Sequence, residues 1–232
     1  MNTAPRGNTG VRPHVVIAIF CAAVLVSGCS GPAGDDVPSD QPTPTVYEIA
    51  TQDDFDALGN IVFTGGDQIR FARGGRFSGS LALERTGAKP DAVITLADFG
   101  SADDPRPVIE ADVAGMGTID IRDSGGWVIE NLELSNFSDE RSERHGIFVT
   151  AEDSGTHSDF VIRNCLIRDV SGVHDYFNNG GIVFRVVGNE VPTRFDGVLI
   201  EDNEIRHISG VGIRTKSTWE ADPDDPRGVA RP

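Results

Sequence analysis

A chain of 232 residues, 38% hydrophobic and with 27 glycines, is long enough for one sizeable domain with a real core, and its turn-rich composition suits an all-β protein better than a helical bundle. The formal charge is −16, and nearly all positive charge is arginine, with Lys89 and Lys216 as the lysines. This balance argues against a nucleic-acid partner and, more mildly, against a long polyanionic substrate, because phosphate binding needs a concentrated basic surface.

Residues 1–14 carry Arg6 and Arg12 and no acid, and the apolar run "VVIAIFCAAVLV" (15–26) that follows is too short to span a bilayer comfortably. It ends in "VSGC" (26–29). This arrangement resembles a bacterial lipoprotein signal, which implies removal of residues 1–28 and lipidation of Cys29, with the domain displayed outside the cytoplasmic membrane on a lipid anchor. Residues 29–45, rich in Pro, Asp and Ser, form a tether that cannot bury enough apolar surface to fold. With Cys21 inside the signal and Cys165 alone in the body, the domain has no internal disulfide framework.

The expected domain covers residues 46–219. "VYEIA" (46–50) alternates like a strand, and Thr51 can cap a short helix through "QDDFDALG", with Phe55 and Leu58 on one face. Ile69 and Phe71 alternate inward in the next segment, and further strands are expected at 92–99, 107–111 and 118–123. Then one phrase is written three times: "WVIENLELSNFSD" (127–139), "FVIRNCLIRDVSG" (160–172) and "VLIEDNEIRHISG" (198–210). Its apolar positions align as Ile129, Ile162 and Ile200; Leu134, Ile167 and Ile205; and Phe137, Val170 and Ile208. A second phrase follows each, "GIFVT" (146–150), "GIVFR" (181–185) and "GIRTK" (212–216). Repeats of this kind cannot bury an apolar face alone and must stack, which places like residues about 4.8 Å apart along the stack. The uneven spacing puts insertions in loops and leaves the coils intact.

These pairs of phrases, with "GDQIRFARGGRFSGSL" before them, resemble the pectate-lyase-like superfamily over about residues 46–216. The resemblance implies an all-β fold, a right-handed parallel β-helix (a solenoid) with a short N-terminal capping helix. The motifs encode core packing, so they specify activity poorly.

On the "GI" strands, Ile147, Val149, Ile182, Phe184, Ile213 and Thr215 should point inward. Two outward columns remain: Phe148, Val183 and Arg214, and Thr150, Arg185 and Lys216. Long loops flank these strands and make the face a candidate groove for an extended polysaccharide, with Arg214 as a contact. The resemblance implies a β-eliminating polysaccharide lyase in which Arg185 or Lys216 takes the proton or neutralises a uronate carboxylate, often with Ca2+ present. In the loop "HDYFNN" (174–179), His174 could serve in acid–base chemistry. Tyr176 or Phe177 could stack on a sugar ring, and Asp175 and Asn178 could bind hydroxyls or a calcium ion. His145 could lie beside this loop, while His157 and His207 read as surface or turn residues. The histidines show no zinc spacing. A hydrolase would need two carboxylates at a defined separation, for which Asp169, Asp175, Glu201 and Asp202 are available. Cys165 reads as a small buried hydrophobe. Residues 220–232 read as an acidic, Pro-containing tail that leaves the last coil uncapped, as in a shortened product or fragment. The leading expectation is a surface lipoprotein that binds, and could cleave, an extracellular polysaccharide; the alternative, from a different class, is a non-catalytic adhesion or structural module, or an inactive fragment.

Overall fold

The structure is a computed structural model that describes residues 43–83, 92–173, 179–221 and 230–231. The lipoprotein signal, Cys29 and the tether as far as residue 42 lie outside the described residues, as do residues 174–178 and most of the C-terminal tail.

The described residues are all-β, with one short α-helix, three sheets of five or six strands whose internal pairings are all parallel, and a small antiparallel pair, Glu220–Ala221 with Ala230–Arg231. The first sheet orders β1 (Val46–Ile49), β2 (Gln68–Ala72), β5 (Ile94–Phe99), β8 (Trp127–Glu130), β11 (Thr156–Arg163) and β14 (Arg194–Glu201). The second orders β3 (Arg76–Ser78), β6 (Val108–Ala111), β9 (Glu133–Asn136), β12 (Leu166–Val170) and β15 (Glu204–Ile208). The third orders β4 (Leu81–Leu83), β7 (Gly117–Arg122), β10 (His145–Glu152), β13 (Gly180–Val187) and β16 (Val211–Ser217). From β2 onward the chain visits first, second and third sheets in rotation, and each strand pairs with its counterpart one round earlier.

That register is what the repeated phrases encode. Trp127, Phe160 and Val198 are successive partners in the first sheet, as are Ile129, Ile162 and Ile200. Leu134, Ile167 and Ile205 align in the second, and Ile147, Ile182 and Ile213 in the third. These aliphatic columns meet in one continuous core, from Phe55 at one end to Phe184 near the other. At the first end, α1 (Gln52–Ala57) carries a capping box: Thr51 accepts from the Asp54 N–H, and the Asp54 carboxylate accepts from the Thr51 N–H. The helix lays Phe55 over the rings of Phe71 and Phe77 and so covers the first strands.

The corners are held by short polar side chains. Between the first and second sheets, Asn131, Asn164 and Asp202 each take a positive φ, which Asn and Asp tolerate better than other side chains. The carboxamides of neighbouring coils bond directly, Asn164 Nδ2 donating to Asn131 Oδ1 at 2.5 Å. Between the third and first sheets the Asp153 carboxylate accepts from the N–H groups of Glu190 and Val191, holding it below the usual carboxylate range. A Cβ on Gly188, at φ +94°, would fall 2.3 Å from that carboxylate, so only glycine fits there.

One aligned column is corrected by the register. Phe137 does not share the inward position of Val170 and Ile208; Asn136 does, because the pairing of β9 with β12 shifts between Ile167 and Val170. Asn136 is fully buried, accepts from Val113 N, and donates to the carbonyls of Val113, Met116 and His145. A carboxamide that satisfies four backbone groups at a corner outcompetes a phenyl ring for that place, since the carbonyls would otherwise be buried without donors.

Candidate functional site

The outer face of the third sheet is where the sequence places its candidate residues, and the register confirms both columns. Asp120, Phe148, Val183 and Arg214 are successive partners across β7, β10, β13 and β16. Arg122, Thr150, Arg185 and Lys216 form the second column. Arg185, Lys216 and Arg214 thus share one face of two adjacent strands. Asp175, Tyr176, Asn178 and His174 fall outside the described residues, so their loop is located only by sequence, directly before β13.

This face is not an open polar strip. Phe148 and Val183 are buried although they point away from the core. The imidazole of His145, itself buried, stacks on Phe148 with ring centroids 3.9 Å apart and planes 7° from parallel. The Arg185 guanidinium lies over the same phenyl ring, 5.6 Å from its centroid. Its Nε–H is buried and meets no hydrogen-bond acceptor among the described residues. A buried charged donor without an acceptor is costly. It is therefore the atom on this face that most calls for an oxygen from a ligand.

Sequence reasoning missed Asp120. It is 1% exposed and lies on the outer face beside Phe148. Both its oxygens accept hydrogen bonds, Oδ1 from Arg122 Nε at 2.9 Å and Oδ2 from Gly117 N at 3.2 Å. The signal was present in "TIDIRD": Ile119 and Ile121 point inward, which forces the intervening Asp onto the outer face.

Of the carboxylates named from sequence, the three among the described residues, Asp169, Glu201 and Asp202, do not lie on this face. Asp169 sits at the end of β12 in the second sheet, where Arg168 and then His207 hold its carboxyl below the usual range. Glu201 and Asp202 lie at the corner after β14. His145 is a buried, packed ring at the start of β10, paired with Gly180 at the start of β13. His157, expected at the surface, is half-buried and hydrogen-bonds Ser154 Oγ at 2.9 Å, and burial pushes its pKa down. Cys165 is buried, and burial raises its thiol pKa to about 11, which removes it as a nucleophile. No group of three or more His, Cys, Asp or Glu suited to a metal occurs among the described residues, and the two calcium-ligand candidates, Asp175 and Asn178, lie outside them.

Comparison with known proteins bears on what this stack of three parallel sheets does. No protein-family profile matches the chain. A lacto-N-biosidase of Bifidobacterium longum is 25% identical over 211 residues of alignment, taking in 64% of this chain and 13% of that protein. In two crystal structures, a lacto-N-biosidase of glycoside hydrolase family GH136 from Eubacterium ramulus superposes with TM-scores of 0.55 (native) and 0.54 (selenomethionine derivative). The identities are 18% and 19%, covering 75% and 74% of this chain. The chain spans only 35% and 34% of those two chains, so the likeness carries the fold of a part.

These relatives overturn the pectate-lyase-like assignment, and with it the polysaccharide lyase in which Arg185 and Lys216 act as base in a β-elimination. They bear the name of a glycoside hydrolase. The physical reason for the error lies in the repeated phrases. They specify core columns and corner turns, which any chain stacked in this way requires whatever its outer face does.

Proposed function

We propose that the protein binds a neutral oligosaccharide across the outer face of the third sheet and hydrolyses a glycosidic bond there. The observation that carries the reading is the buried Arg185 Nε–H, which meets no acceptor among the described residues and lies in one column with Lys216 and beside Arg214. An oxygen of a sugar ring or an N-acetyl group would satisfy that donor. The acidic balance of the chain and the glycan named in the relatives both favour an uncharged ligand over a polyanion.

Glycoside hydrolysis uses two carboxyl groups flanking the bond, one as acid and one as base or nucleophile. Asp120 supplies the first: its two hydrogen-bond donors fix the carboxylate in place on the face that holds Arg185. Asp175, shortly before β13 in sequence, is the candidate for the second. The rotation of the chain through three parallel sheets supports a right-handed parallel β-helix as the scaffold, since parallel crossovers are overwhelmingly right-handed. The signal-like N-terminus supports display on a lipid anchor at Cys29, outside the cytoplasmic membrane. A non-catalytic glycan-binding module is the second reading, favoured by Asp120 being the only carboxylate in the two outward columns across β7, β10, β13 and β16.

The test is to incubate the full chain with neutral lacto-type oligosaccharides and follow released sugars by mass spectrometry. Hydrolysis should fall by about a thousandfold in Asp120→Asn, in line with loss of one general acid or base. Arg185→Ala should raise KM. Binding without release in the folded wild type would leave the module reading, and absence of both would remove the site.

A further inference from the structure

We propose that the outer face of the second sheet carries a carbohydrate-contact site of its own, in which Phe137 is the platform for a neutral sugar ring. The proposal extends the reading that the protein handles glycans, but it uses a different sheet and different residues.

The register shift described above is the starting point. β12 places two residues, Arg168 and Asp169, against the single Ser135 of β9, so Asn136 comes opposite Val170 and ordinary alternation leaves Phe137 outward just after β9, 56% exposed. Bulges of this kind re-aim side chains and recur beside functional sites. An exposed phenyl ring gains nothing from water, so a chain that places one at the rim of a groove invites an apolar face to cover it. The groove holds about 420 Å3 and is lined by Glu110, Ala111, Ser135, Phe137, Arg168 and Asp169.

Its polar wall is already ordered. The Arg168 guanidinium bonds Glu133 at 2.6 Å and Asp169 at 2.6 Å and lies 3.7 Å from Glu110. Glu110 in turn pairs with Arg76 at 2.6 Å, and Asp169 with His207 at 3.1 Å. These side chains are held by one another before any ligand arrives, so binding loses little rotamer freedom. Carboxylates are acceptors with several lone pairs each, suited to receiving hydroxyl protons. A ring with an apolar C–H face and equatorial hydroxyls meets both demands, stacking on Phe137 and donating to Glu110 and Asp169. Three carboxylates, Glu110, Glu133 and Asp169, against the two guanidiniums of Arg76 and Arg168 leave the wall net negative, which disfavours an anionic sugar and makes the occupant a neutral hexose or N-acetylhexosamine. Phe137 also opens the segment 137–144 that runs into β10, so a glycan held here lies along the approach to the third sheet.

Saturation-transfer NMR on the full chain tests this, with a neutral tetrasaccharide of galactose and N-acetylhexosamine and its sialylated counterpart as probes. Phe137→Ala should weaken binding of the neutral probe by about tenfold. Phe137→Trp should retain binding, and the sialylated probe should bind more weakly than the neutral one. The ring is exposed, so each variant should melt with the wild type, and a melting curve checks this. Arg185→Ala separates the two faces. Binding that survives in Phe137→Ala but is lost in Arg185→Ala overturns the second site and leaves the third-sheet reading standing. A wild type that binds no neutral oligosaccharide overturns both.

Discussion

Two strands of the third sheet carry the same residue in the same register and live in different surroundings. Ile182 on β13 is fully buried, whereas its partner Ile213 on β16 is 52% exposed. The first sheet repeats the contrast, with Phe160 buried and its partner Val198 at the surface. Sequence pattern is identical in kind at these positions, so the pattern does not create the burial. A strand is buried by the strand stacked on each side of it. Among the described residues β13 has β10 and β16 as neighbours, while β16 has β13 alone. At the other end α1 does the covering, through Phe55 and Leu58. Stability in this molecule is therefore a nearest-neighbour property, summed along the stack.

The largest expected effect breaks that contrast directly. Ile182→Ala should cost about 3 kcal/mol through lost burial and a cavity that rigid neighbouring strands cannot close. Ile213→Ala should cost no more than about 0.5 kcal/mol, as at an ordinary surface position. Equal losses in denaturant titrations of the two variants would mean that β16 is covered in solution and that the contrast is false. Asn136→Ala comes next, at about 2 kcal/mol, because it leaves the carbonyls of Val113, Met116 and His145 without their carboxamide donor inside the corner. Asn136→Asp should be no better, since a carboxylate removes the donors and adds a buried charge.

Much of the architecture was legible because the fold repeats. Three copies of one phrase aligned Ile129 with Ile162 and Ile200, and the sheets pair them so. The cap at Thr51 was equally visible, since it depends on local residues, although the reciprocal bond from Asp54 was not read. What failed were features that break the repeat. Phe137 aligned with Val170 by hydrophobicity, yet the place went to Asn136, whose value lies in backbone partners from the β6–β7 loop and the start of β10. Burial of Phe148 was hidden for the same reason: it looks outward by alternation and is covered by its surroundings. The activity was least legible. Arg185 and Lys216 do share a column, but cations in a column suit many ligands, and the repeat that located them speaks only for the scaffold.

The smallest effect sharpens the comparison by loosening the last round of strands with a proton. His157 on β11 lies opposite Phe195 on β14, with ring centroids 6.3 Å apart, so its burial depends on β14 staying docked. Burial lowers its pKa, opposed in part by the nearby Asp123 carboxylate. The folded state therefore takes up this proton less readily than the unfolded chain, whose histidine titrates near pH ~6.5. Above that pH both states are neutral here and stability is at its full value. As pH falls below it the unfolded state gains protons first, and stability declines until the folded pKa is passed. The loss should be local, because protonation acts on the contact between β11 and β14. Hydrogen exchange in β14 should accelerate on going from pH 7 to pH 5 beyond the intrinsic pH dependence of exchange, while β5 and β8 remain unchanged. His157→Gln, which keeps a hydrogen-bonding group near Ser154 without a titration, should abolish that dependence. A slope that persists in the variant would assign it to another group and leave β14 held by its apolar contacts alone.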